Sequence, residues 1–172
     1  MKYPVFALFA LCLFLMAACQ GGGADSSTAA ASDPNTLNAQ ILAEVLASKA
    51  LLSKFDSTFQ ETNLFVRKIK QNYSGLGDEK KAQVMKIHEG IRVFTDPYEE
   101  IDRGIAQLES LSEKLGTGTA KVEAAQKEFE TLQKQMHTAG EQLTAAKVDF
   151  AGLQAEFERI FAEANQQAAG KQ

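Results

Sequence analysis

Beyond residue 19 the chain contains no cysteine; its two, Cys12 and Cys19, lie within and at the end of the first apolar stretch. A disulfide framework or a thiolate metal site is therefore excluded from everything downstream. There is no tryptophan, there are 3 prolines in 172 residues, and histidine occurs only at positions 88 and 137. Scarce proline, with plentiful Ala, Gln, Glu and Lys, favours helix over strand. Positive charge is not in excess: 18 Lys and Arg stand against 22 Asp and Glu, a net charge of −4. That leaves no basic patch for nucleic acid and no polybasic attraction to anionic lipid. No apolar run after residue 19 approaches the roughly 20 residues of a membrane span.

The start of the chain reads differently from the rest. Lys2 is followed by an apolar run from Val5 to Leu15, which has the charge and length of a signal peptide and is short for a span. Met16, Ala17, Ala18 and Cys19 follow. Small residues let an extended backbone enter a peptidase cleft, and the cysteine sulfur is a nucleophile that can accept diacylglycerol. Residues 1–19 resemble the signal of a bacterial lipoprotein precursor, with Met16 where that family usually has Leu three residues before the Cys. The resemblance implies a signal peptide over 1–18, with Cys19 as the lipidated mature N-terminus. It also implies a membrane attachment carrying thioether diacylglycerol and palmitate-type acylation. Gln20 stands where an Asp would favour inner-membrane retention, which implies the outer membrane in a Gram-negative cell. Residues 20–36, QGGGADSSTAAASDPNT, hold no apolar side chain larger than Ala; such composition reads as a tether.

From residue 37 the sequence is written in heptads. Val45, Leu52, Phe59, Val66 and Tyr73 recur at seven-residue intervals, with Ile41, Phe55 and Ile69 on companion positions and Ser48 and Thr62 as weak points. Apolar residues at this spacing share one helical face. Asp33-Pro34 supplies a start signal, and Ser74-Gly75-Leu76-Gly77 a stop in which glycine would take left-handed conformations. Asp78 reads as the next cap. The second seam, Val84, Ile87, Ile91, Phe94, Tyr98, Ile101, Ile105, Leu108 and Leu115, runs straight through Asp96-Pro97. Read alone, that dipeptide starts a new helix; the unbroken phase predicts one helix kinked at Pro97. The alternative is four helices with a break at 96–97. After Gly116–Thr119 a third seam joins Val122, Phe129, Met136, Leu143, Phe150 and Phe157, with Leu132, Leu153 and Ile160 between them.

The expectation is an all-α, antiparallel up-down-up three-helix bundle with coiled-coil-like heptads over 37–172. Its helices would span about 37–73, 78–115 and 120–168. Short turns force antiparallel neighbours, and the third helix would overshoot the others by roughly 16 Å at 1.5 Å per residue. Phe157, Ile160 and Phe161 would then outrun their packing partners and offer a partner contact, unless the first turn covers them.

Candidate chemistry is sparse. His137 and Glu141 share a face at i, i+4, a spacing that a Glu-rich helix also produces by chance, and His88 flanks the second seam. Met85 with His88 has nothing to support it as a haem pair. Glu99, Glu100 and Asp102 form an acidic cluster of the kind solvated helix faces carry. Neither the paired Glu-x-x-His of di-iron bundles nor a Cys-x-x-Cys-His haem attachment occurs. No catalytic residue, cofactor or metal site is assigned. The reading is a non-enzymatic interaction or spacer module of the cell envelope, with a protein partner and no nucleic acid. The long third seam also allows a homo-oligomer. The alternative is a helical-bundle carrier of a small ligand, metal or haem.

Overall fold

The computed structural model describes residues 33–169, with side chains to residue 166. The expected signal peptide, Cys19 and most of the expected tether lie outside the described residues. The described residues form an all-helical bundle of five helices: α1 Pro34–Leu52, α2 Asp56–Tyr73, α3 Asp78–Gly116, α4 Val122–Ala145 and α5 Phe150–Ala169. No helix among them is long and apolar enough to cross a membrane. The helix count corrects the expectation of three. The first and third heptad segments are each interrupted once, at Ser53–Phe55 and at Ala146–Asp149.

α1 starts three residues before the predicted boundary, on the Asp33-Pro34 signal. The Asp33 carboxylate accepts from the Thr36 N–H at 3.1 Å, and Pro34 occupies the first turn, where its missing N–H costs nothing. At its far end the i→i−4 ladder tightens. The Lys54 and Phe55 N–H groups donate to the Leu51 and Leu52 carbonyls, the i→i−3 pattern of a 3₁₀ turn. That turn rotates the buried face of α2. Thr62, Phe65 and Ile69 point inward, while Val66 and Tyr73, expected on the seam, are half-buried.

α3 is the unbroken element, 39 residues with Pro97 inside it. Every seam residue from Val84 to Leu115 is buried, as is Leu111, which the heptad reading passed over. The α2–α3 turn corrects two details. Gly118 is the only glycine with positive φ among the described residues, so Gly75 and Gly77 do not supply left-handed conformations. The N-cap of α3 is Gly77 in an extended conformation, with Asp78 in the first turn. Leu76, in that turn, is buried.

The break between α4 and α5 has neither glycine nor proline. Ala146 is extended at φ −60°, ψ 116°, and Asp149 restarts the helix, its carboxylate accepting from the Gly152 N–H at 2.9 Å. The heptad reading, which runs one helix through this point, takes no account of that cap. Asp149→Ala should cost about 1 kcal/mol, measured as a urea midpoint shift at constant slope. A change near zero would mean that the heptad face alone positions α5.

α3 touches each of the other four helices. Asn38 pairs with Ser112, and Asp56 with Tyr98, so α1 and α2 run opposite to α3. Met136 lies against Gly104 and Leu153 against Gly90, so α4 and α5 also run opposite to it. The Gly104 approach needs glycine's missing side chain, since a Cβ there would lie 2.5 Å from Met136. Two apolar cores result. One joins α1, the C-terminal part of α3 and α4. The other joins α2, the Leu76 turn, Val84, Ile87 and Ile91 of α3, and α5.

The expected apolar tip is absent. Phe157 and Ile160 are 1 % and 0 % exposed, and Phe161 is half-buried. α2, the Leu76 turn and the N-terminal part of α3 cover them.

Candidate functional site

The two cores meet at a waist around Phe94. Ser53–Phe55 separates α1 from α2 there, Pro97 sits in α3, and Ala146–Asp149 separates α4 from α5. Aromatic rings fill the junction. Phe94 lies edge-on to Phe55 at 6.1 Å and to Phe150 at 5.4 Å, geometries that suit the ring quadrupoles. Phe59 stacks on Tyr98 with centroids 3.8 Å apart, and the Tyr98 hydroxyl donates to the Asp56 carboxylate at 2.5 Å. Burial first, then this hydrogen bond and the Asp56 charge, pushes the Tyr98 phenol well above its ordinary range.

That shift has a signed consequence. The folded state keeps the Tyr98 proton at pH values where the unfolded chain releases it, so the contribution is complete below about pH 10 and is lost as pH rises further. Tyr98→Phe should therefore flatten the decline of stability above about pH 10 relative to the parent, read from thermal melts across an alkaline series. Parallel declines in parent and variant would show that Tyr98 titrates normally.

Open clefts adjoin the waist where the α4–α5 junction parts from α3. One, of about 580 Å³, is lined by Glu89, Arg92, Val93, Asp96, Pro97 and the Ala145–Lys147 backbone turn. A second, of about 520 Å³, lies between Gly90, Val93 and the Val148–Leu153 segment. Their walls are mixed. Arg92 is held by Asp96 at 2.8 Å one turn away, while Val93 is 57 % exposed between them. Proline has no N–H to offer one turn back, so the Val93 carbonyl lacks its usual helical donor beside the first cleft.

The other residues singled out in the sequence are dispersed. His137 Nε2 lies 3.3 Å from Glu141 Oε1, both side chains well exposed. His88 is half-buried on α3, Met85 is exposed, and Glu99, Glu100 and Asp102 are exposed. Among the described residues no group of three or more His, Cys, Asp or Glu is placed to hold a metal ion. The waist went unread because its parts are distant in sequence; Asp149 and Pro97 were its only local signals.

No protein-family model, curated protein or solved structure matches the chain.

Proposed function

We propose that the chain is a lipid-anchored helical module of the bacterial cell envelope, non-enzymatic, serving as a spacer or as the docking rod of a protein partner. In this reading the five helices act as three legs, up-down-up, with α3 as spine. The observation that carries it is α3 itself: 39 unbroken residues, about 58 Å at 1.5 Å per residue, clad along both halves by shorter helices. Such an element holds two ends apart. The leader and the composition of residues 20–36 supply the attachment, through lipid on Cys19, to the outer membrane in a Gram-negative cell.

Cys19→Ser tests the attachment. The parent chain should sediment with membranes and the variant should leave them; equal partitioning of both would sink the reading. Crosslinking in intact envelopes should then capture a protein partner through the parent and not through the released variant. A second reading, a small-ligand carrier, is favoured by the waist clefts alone, whose volumes fall in the range of ligand pockets. Metal analysis and a visible spectrum of native protein would reveal a bound group.

A further inference from the structure

α1 is apolar on two opposite faces. Leu37, Ile41, Val45, Ser48 and Leu52 point into the core. On the reverse side Ala39, Leu42, Ala43, Leu46, Ala47 and Ala50 are all exposed, Leu42 by 46 % and Leu46 by 68 %. At 3.6 residues per turn these fall on one stripe, diametrically opposite the seam. Three polar groups of α1 are drawn sideways to neighbours. Glu44 accepts from Gln133 at 2.9 Å, Lys49 reaches Glu109 at 2.6 Å, and Asn38 accepts from Ser112. The outer stripe therefore carries no charge, although the chain as a whole is acidic.

Two features decide what covers it. The stripe offers six side chains, against the roughly 20–30 residues a side of a standard protein interface; alone it is too small to hold a second copy. And the chain outside the described residues ends at its edge: Cys19 lies fourteen residues before Asp33, a distance the backbone spans in no more than about 50 Å. A surface to which Cys19 is fixed is presented to α1 at short range, so a small apolar face suffices. We infer that the outer face of α1 lies on the lipid surface, with Leu42 and Leu46 at the headgroup–acyl boundary as in interfacial helices. This rests on lipidation at Cys19. It makes α1 a second attachment, which orients the bundle relative to the membrane instead of leaving it to pivot on the acyl chains.

The test uses the mature, lipidated chain in phosphatidylcholine vesicles. With the leader removed and Cys19 alkylated by lipid, an introduced cysteine is the only free thiol. An environment-sensitive fluorophore is placed at Leu46→Cys or at Leu64→Cys. Leu64, on α2, is 64 % exposed, nearly as much as Leu46, so a difference between them reports the membrane and not the fold. The expected result is a blue shift and several-fold quenching by nitroxide lipids at position 46, with neither at position 64. Vesicle-bound protein whose position 46 stays unquenched overturns the inference and leaves the anchor intact. So does shielding of position 46 from aqueous quencher without lipid quenching, which would mean that a second copy covers the stripe. Failure of the chain to float with vesicles overturns both inference and anchor.

Discussion

Phe157→Ala should lower the free energy of unfolding by about 3–5 kcal/mol, the range for truncating a buried phenylalanine. The side chain is 1 % exposed and sits at the centre of the core formed by α2, α3 and α5. Its ring meets Phe65 edge-on at 5.6 Å and stacks on Phe161 at 6.1 Å, and such pairs each add about 0.5–1.5 kcal/mol beyond burial. The core it belongs to is small, so few neighbours can relax into the cavity, and the cost should lie toward the upper end. Against a total stability of about 5–15 kcal/mol for a domain of this kind, the loss is large enough for α2 and α5 to melt ahead of the rest. Urea unfolding followed by circular dichroism measures it. An exposed contact residue would change stability by no more than about 0.5 kcal/mol, so a null result would return Phe157 to the surface.

Pro97→Ala should act in the opposite direction. Proline in a helix interior costs about 3 kcal/mol relative to alanine through the lost N–H and the ring's clash with the preceding turn. The replacement restores a donor for the Val93 carbonyl. It also gives up the contacts of a buried ring and frees the unfolded chain, a penalty of about 0.4–1 kcal/mol for the latter. The net expectation is a stabilisation of about 1–2 kcal/mol. Were Asp96-Pro97 the cap and first residue of a separate helix, the same change would remove a favoured start signal and destabilise. The sign of the change in melting temperature therefore distinguishes one helix from two. A further effect is expected at the waist. Restoring the ladder stiffens α3 beside the α1–α2 and α4–α5 junctions, so hydrogen exchange at Val93–Tyr98 should slow.

α3 shows what is legible in such a sequence. Its heptad phase persisted through a local start signal, and phase is a statement about a shared face that only a continuous helix satisfies. The same reasoning failed at Ala146–Asp149, where the seam residues Leu143, Phe150 and Phe157 keep their seven-residue spacing across four non-helical positions. Heptads record which residues turn inward; they do not record whether the backbone between them is helical. Asp149 carried the local information there, as Asp33 did at the start of α1. Ser53–Phe55 left no comparable mark, since a 3₁₀ turn needs no special residue. Leu46 illustrates a different limit. An apolar residue off the seam reads as noise until its outward neighbours, Leu42 and Ala43 among them, are seen to fall on one face. The waist was illegible because it joins residues from three separated segments, and nothing local in Asp56 announces Tyr98.

The clefts beside Pro97 and the stripe on α1 lie on different elements and answer to different chemistry. The first is bordered by Arg92, Asp96 and Lys147; the second is free of charge. In the proposed reading a partner protein and a lipid surface are therefore engaged by different parts of the bundle. Salt should separate the two. Contacts beside the clefts weaken as ionic strength rises, whereas apolar burial at Leu42 and Leu46 does not.

Lipid on Cys19 underlies both the proposed anchor and the proposed second contact through α1, and the intact mass of the chain purified from bacterial membranes tests it most directly. The expected protein begins at Cys19, and its N-terminal peptide carries the added mass of diacylglycerol and a further acyl chain. A chain that retains Met1, or one cleaved at another residue with an unmodified thiol at Cys19, would contradict it.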